Sequence, residues 1–418
     1  MPALLSFWLC VGFLLLADSS PAQHIGKDIC LSCHGMQGLE RSQKGKSVSL
    51  YVDAGKLARS VHGALECTTC HDDISQIPHP SELKPVQCGK CHGNALQAYA
   101  ESVHGKAHAK GDRDAASCKD CHGNHNILPA TNPDSLVYAL KLPRTCGTCH
   151  GDPELAKRHR IPVTNAYQLY MDSIHGRALT GSGLLVAANC SSCHGSHLIL
   201  PASNPRSTVN RTNVPETCGR CHAGVLPDYF ASVHGRAVKE GSSVAPVCVD
   251  CHTTHEIRRV ETPGWKLEIV KECGTCHQES LRTYRDTFHG QVTALGFVRV
   301  ARCSDCHGFH RILRASDPQS SVSRANLVST CRKCHPKANV NFVRFSPHAD
   351  FSDKQKNPGL YYAAIFMKTL LAGVFVFFGL HTSLWLLRST LAIWRRMKGD
   401  GKTEGSDEEE NKNGPPES

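Results

Sequence analysis

Eleven Cys-x-x-Cys-His runs set the chemistry of this 418-residue chain. They comprise Cys30, Cys33 and His34; Cys67, Cys70 and His71; Cys88, Cys91 and His92; Cys118, Cys121 and His122; Cys146, Cys149 and His150; Cys190, Cys193 and His194; Cys218, Cys221 and His222; Cys248, Cys251 and His252; Cys273, Cys276 and His277; Cys303, Cys306 and His307; and Cys331, Cys334 and His335. In an exported protein this spacing has one dominant meaning. Each thiol closes a thioether onto a vinyl group of a haem, and the adjoining imidazole lies under the iron as its proximal ligand. Zinc ribbons also use Cys-x-x-Cys, and an even cysteine number suits a disulfide framework. Neither explains a histidine after the second cysteine eleven times. Of 23 cysteines only Cys10 lies outside the motifs, so no thiol is left over for a disulfide. Eleven covalent c-type haems are the expected cofactors.

A second set of histidines repeats in register with the first. In one motif type another histidine comes three residues after the proximal one, as His125, His197, His255 and His310; after His71 the nearest candidate is His79. Turn-like tails often follow, such as Ile127-Leu-Pro-Ala-Thr-Asn-Pro133. In the other type a Ser/Thr-x-His follows at longer range: His62, His104, His175, His234, His289 and, after Ser346-Pro, His348. Motifs of this second type begin at Cys30, Cys88, Cys146, Cys218, Cys273 and Cys331, a period near 58 with one longer interval. Five two-haem modules behind one leading haem is the simplest description. Of 26 histidines, eleven are proximal and eleven are candidate distal ligands, one for each iron. Which distal histidine serves which motif stays open, because a Ser-x-His loop can reach a neighbouring module. His24, His108 and His159 sit in polar stretches and are expected to be solvated, with His24 the reserve ligand; the fourth remaining histidine is His381.

Met36 and Met171 are the only methionines of the exported part, and Met36 is too close to His34 to reach across a ring. Methionine ligation raises a haem potential, so histidine on both faces predicts low-potential centres. An iron filled on both sides has no place for a substrate; electron transfer is the expected task, and no catalytic residue is assigned.

Aromatic residues make up 6% of the chain and hydrophobic ones 40%, with 34 glycines and 22 prolines. Strong periodic core helices are hard to find, and roughly thirty residues accompany each expected haem. The predicted fold is therefore mostly irregular, with loops and short helices wrapped around a chain of porphyrins that form the interior. Metal-dependent folding is the corollary. The formal charge is +10. Residues 358–418 balance seven basic against seven acidic residues and Asp18 falls in the leader, so residues 23–357 carry +11. Such a surplus usually suggests nucleic acid. Here two propionates on each haem would absorb it, and no nucleic-acid partner is expected.

Through these motifs, residues 24–350 resemble the multihaem c-type cytochromes of the doubled Cys-x-x-Cys-His type, with alternating Cys-x-x-Cys-His and Ser-x-His-Gly elements. The resemblance implies closely spaced parallel and perpendicular haem pairs that pass electrons along the chain. Related multihaem enzymes reduce nitrite or oxidise hydroxylamine at one specialised haem. The nitrite-reducing kind often replaces a proximal histidine by lysine, and no Cys-x-x-Cys-Lys occurs here. The alternative function is a terminal oxidoreductase acting on a nitrogen or sulfur oxyanion at one open haem.

The two ends supply location. Residues 1–22 read as a cleaved export signal, with an apolar run from Leu4 to Leu16 and Ser20-Pro21-Ala22 behind it, although no Lys or Arg precedes the run. A retained N-terminal anchor is the other reading. Residues 23–357 form the haem domain, 358–398 an anchor with its flanks and 399–418 an acidic disordered tail. Thr369 to Leu387 are 19 uncharged, mostly apolar positions, enough to cross a bilayer as a helix. Arg388, Arg395, Arg396 and Lys398 place the C-terminus in the cytoplasm and the haem domain on the periplasmic side of the inner membrane. His381 lies within the span, in a run that resembles the haem-ligating helices of membrane b-type cytochromes. Either it shares a b haem with a partner membrane subunit or it is a neutral histidine bonded to an adjacent helix. The expected partners are a b-type or quinone-reactive membrane subunit and periplasmic redox proteins.

Overall fold

The computed structural model describes residues 25–43 and 45–399. The expected leader at 1–22, the reserve ligand His24 and the acidic tail beyond Gly399 lie outside the described residues. The rest divides into two units, one of Met1–Cys273 with Cys303–Thr330 and one of Gly274–Arg302 with Cys331–Ser418.

Short helices dominate the first unit, and their brevity is built into the repeat. The helix Leu226–Ala231 ends at Ser232, whose extended backbone at φ −71° and ψ 165° breaks the helical path. The Ser232 hydroxyl then accepts the Gly235 amide at 3.0 Å and so starts the helix Val233–Lys239. Ser102 does the same between Gly93–Glu101 and Val103–Ala109, and Ser173 between Ala166–Asp172 and Ile174–Gly176. In the second unit Thr287 separates Gln278–Arg285 from Phe288–Ala294. Each such corner is tight enough to require glycine. A Cβ on Gly235 would stand 2.1 Å from the Tyr229 carbonyl oxygen, and Gly105, Gly176 and Gly290 meet Tyr99, Tyr170 and Tyr284 in the same way. Gly235→Ala is expected to cost about 1–3 kcal/mol through overpacking, read as a lowered thermal midpoint. Gly264→Ala, with nothing within 4 Å of its Cβ, is the control that leaves the midpoint unchanged.

Apolar packing is sparse. Among the described residues thirteen apolar side chains are buried, and the core cluster is Val214, Val238, Ala245 and Val247. The expected short helices and loops are present, but helices make up about half of the chain rather than a minor part of a mostly irregular one. One element was not foreseen: an antiparallel hairpin of Glu40–Gln43 and Lys46–Ser49, in which Glu40 pairs with Ser49 and Arg41 with Val48. Gly45 provides the positive φ of 77° that its two-residue turn needs.

The second unit ends in a 42-residue helix, Pro358–Gly399, long and apolar enough to cross a membrane, with a mean hydropathy of 2.1 over its most apolar stretch. Ahead of it, Arg282 grips Asp350 through both carboxylate oxygens, and Asp350 accepts the Ser352 amide at 2.8 Å. These bonds hold the Asp350 carboxyl well below the usual carboxylate range, the Arg282 contact contributing most. A carboxylate depressed on folding stabilises the fold above its unfolded pKa and loses that contribution as pH falls through the folded value. The segment before the membrane helix should therefore stay docked at neutral and mildly acidic pH, read as constant proteolytic resistance around Asp350. Arg282→Ala should expose it throughout that window.

Candidate cofactor-binding sites

Seven of the eleven motifs show one of two local structures. In the motifs at Cys118, Cys190 and Cys248 the residue before the second cysteine caps the motif's own helix. Asp120 accepts the Ser117 amide at 2.7 Å, Ser192 accepts the Asn189 amide at 3.1 Å, and Asp250 accepts the Val247 amide at 2.6 Å. In the motifs at Cys88, Cys146, Cys218 and Cys273 the residue after the first cysteine is glycine. A Cβ on Gly89, Gly147, Gly219 or Gly274 would run into Leu96, Tyr167, Leu226 or Leu281, at 2.1–2.6 Å. The first type anchors itself, whereas the second needs room for the helix that follows.

Above the motifs, imidazoles face one another in pairs. Nine pairs have ring centroids 5.8–6.3 Å apart: His34 with His79, His62 with His92, His71 with His125, His104 with His150, His122 with His197, His175 with His222, His194 with His255, His252 with His310, and His289 with His335. Every pair joins one motif histidine to one accessory histidine. Interplanar angles run from 6° to 60°, yet the separation stays the same. Ordinary ring contacts change their separation with tilt. Two imidazoles bound end-on to one metal by bonds of about 2 Å keep their centroids about 6 Å apart at any rotation. The donor set thus fits a metal held between two histidines.

Two rules describe the pairing. An accessory histidine of the Cys-x-x-Cys-His-x-x-His type faces the proximal histidine of an earlier motif, as His125 faces His71 and His197 faces His122. A Ser/Thr-x-His faces a proximal histidine further on, as His104 faces His150 and His175 faces His222. No proximal histidine in these pairs is served by the accessory histidine next to it in sequence. His79 faces His34 rather than the neighbouring His71. His234 and His277 hold the corresponding places in the repeat, whereas no motif follows His348.

Ring chemistry agrees with ligation. His34 donates from Nδ1 to the Leu50 carbonyl at 2.9 Å, and His79 donates from Nδ1 to the Pro80 carbonyl at 2.8 Å. That tautomer leaves both Nε2 lone pairs for a metal. Burial lowers the pKa of His104, His150, His175, His194 and His255, keeping them neutral at pH 7. The motif at His71 differs from those at Cys118, Cys190 and Cys248, whose helices include the histidine. Its helix, Cys67–Cys70, stops before the histidine, and His71 Nδ1 is buried without a hydrogen-bond partner.

Consecutive motifs are tied alternately on two sides. On the thiol side, first cysteines lie beside one another in pairs, close enough to influence each other's ionisation: Cys30 with Cys67, Cys88 with Cys118, Cys146 with Cys190, Cys218 with Cys248, and Cys273 with Cys303. This proximity raises the pKa of Cys146, Cys248 and Cys303 and lowers that of Cys190, Cys218 and Cys273. On the accessory side, a backbone amide beside four of the Ser-x-His elements donates to the isoleucine two residues beyond the other kind of accessory histidine. Val61 bonds Ile127 at 2.8 Å, Val103 bonds Ile199 at 2.9 Å, Ile174 bonds Ile257 at 2.7 Å and Val233 bonds Ile312 at 2.9 Å. These bonds place His62 beside His125, His104 beside His197, and His175 beside His255. From the first motif to the eighth, every step is made by one kind of tie or the other.

A third support went unnoticed in the sequence. Tyr99, Tyr170, Tyr229 and Tyr284, each three residues before the capping hydroxyl, donate to the carbonyls of Ala116, Ala188, Pro246 and Ala301 at 2.8–3.0 Å. Each acceptor lies two residues before the first cysteine of a self-capped motif. The recurrence Tyr-x-x-Ser/Thr-x-His-Gly was the available signal. Burial raises Tyr229 to about 12, so the phenol remains a donor.

The competing readings find little support. No disulfide joins the 22 described cysteines. Among the described residues, the only three histidine, cysteine or acidic ligand atoms close enough to share one ion are those of Asp112, Asp114 and His159, outside every motif. A zinc ribbon would have gathered the thiols and histidine of its motifs. His159 is exposed, as expected, and bridges Asp114 at 2.8 Å and Asp112 at 3.3 Å. His108 is exposed, as expected. His381 stands on the apolar helix with its ring parallel to that of Phe377 at 6.5 Å. No protein-family model, curated protein or solved structure matches the chain.

Proposed function

We propose that this chain is a membrane-anchored electron relay of eleven covalent, bis-histidine c-type haems. It passes electrons between the membrane quinone pool, through a b-type or quinone-reactive subunit, and periplasmic redox partners. The observation that carries the reading is the facing of motif and accessory imidazoles at one constant spacing, nine times over. When bound, haem supplies one-electron iron chemistry. The remaining work belongs to the chain. The paired thiols would attach the haems, the proximal and accessory imidazoles would hold their iron, and the alternating ties keep successive sites in sequence order. The Nδ1 donors of His34 and His79 aim their Nε2 atoms at the metal and raise their basicity. The lysine and arginine surplus neutralises propionates.

The apolar helix anchors the relay, with its basic C-terminal flank in the cytoplasm. His381 faces the partner subunit within the membrane and contributes to its b-haem site. The test is quinol-driven reduction of the assembled membrane complex. Wild type should reduce fully. His381→Ala should keep its eleven covalent haems and lose most of the quinol-linked rate. Unchanged quinol reduction removes that role for His381, and turnover of nitrite or hydroxylamine by the purified chain overturns the relay in favour of a reductase.

A further inference from the structure

The two kinds of accessory histidine differ in ring orientation as well as in sequence. In the Cys-x-x-Cys-His-x-x-His kind, together with His79, the two facing rings lie at 6°, 33°, 23°, 8° and 26°. In the Ser/Thr-x-His kind they lie at 59°, 60°, 38° and 41°. The ranges do not overlap. Three of the four tilted sites share one local structure, whereas His62, tilted at 59°, lies in a turn. His104, His175 and His289 each occupy the second position of a helix whose first turn is closed by a hydroxyl, with Ser102, Ser173 and Thr287 accepting the glycine amide at 3.0, 3.0 and 3.2 Å. Ser102 and Ser173 are each 1% exposed, and the amides of Val103 and Ile174 are bonded to Ile199 and Ile257. A helical backbone held on both sides leaves few side-chain rotamers. By contrast His125 and His197 lie in irregular chain behind Gly123 and Gly195, whose φ values are 84° and 78°.

We propose that the capping hydroxyls Ser102, Ser173 and Thr287 are positioning residues that hold their accessory imidazoles tilted to the proximal ring. They thereby divide the haems into two ligand-field classes along one chain. The proposal rests on the relay reading above. Imidazole planes that lie parallel push on the same iron d orbital and split the set strongly. Tilted planes push on two orbitals and reduce that splitting, which destabilises the ferric state. The sites served by Ser/Thr-x-His are therefore the more easily reduced class.

The test is low-temperature electron paramagnetic resonance of the fully oxidised full-length protein, followed through a potentiometric titration. Two sets of low-spin signals are expected: rhombic ones from the near-parallel pairs, and strongly anisotropic ones with a single large g value from the most tilted pairs. The second set should disappear first on reduction. Ser102→Ala should move one large-g component toward the rhombic set, and Ser102→Thr should restore it, as Thr287 does natively. A single signal class in wild type overturns the proposal, as does a large-g component untouched by Ser102→Ala. Should the alanine variant fail to accumulate, the wild-type partition and its order of reduction still decide. Absence of haem, or far fewer than eleven per chain, strikes the relay reading; eleven low-spin haems in one class strike only this inference.

Discussion

His255→Ala is expected to open one axial position, on the iron carried by Cys190 and Cys193 rather than on the neighbouring one carried by Cys248 and Cys251. His255 stands three residues after His252, and sequence proximity alone assigns it there. Its ring nevertheless faces His194 at 6.0 Å, whereas His252 faces His310 at the same distance. The variant should acquire a high-spin ferric signal and bind a single carbon monoxide per chain in the reduced state, where wild type binds none. Brief peroxide treatment followed by peptide mapping locates the open site. Damage on the Cys190–Cys193 peptide is the predicted result, and damage on the Cys248–Cys251 peptide would refute the backward pairing rule. His125→Ala extends the test, since its open site should map to Cys67 and Cys70.

Produced without covalent haem attachment, the chain should not fold at all. Thirteen buried apolar side chains among the described residues, and a core cluster of four, are far too little for a soluble part of some 330 residues, which ordinarily buries about three-quarters of its unfolded surface. Each motif–accessory pair also closes a long loop, 45 residues from His34 to His79 and 75 from His122 to His197. Closing such loops is entropically costly, and ligation offsets that cost only when a metal is present. The colourless chain should show no cooperative thermal transition and should be degraded during export. A cooperative transition in a haem-free chain would mean that ordinary packing holds the fold.

Much of the site was legible in the sequence, because covalent attachment demands residues at fixed local spacing. All eleven motifs and both kinds of accessory histidine were visible that way, and their equality in number pointed to ligand pairs. The partner of each accessory histidine was not visible. His104 and His150 are 46 residues apart, and nothing local to either encodes the pairing. It depends on the bonds from Val103 to Ile199 and from Tyr99 to Ala116, which join segments distant in sequence. The short helices followed from the absence of periodic apolar faces, whereas the hairpin at Glu40–Ser49 was missed because it is polar on both faces. The partners of the exposed His159 were not visible for a related reason: its two carboxylates lie 45 and 47 residues away.

Intact mass spectrometry of the purified mature chain, combined with thiol alkylation, tests the central claim most directly. The account predicts the polypeptide plus eleven haems, with all 22 motif cysteines beyond the reach of the alkylating reagent. A mass matching the bare polypeptide, or motif thiols that alkylate freely, would contradict it.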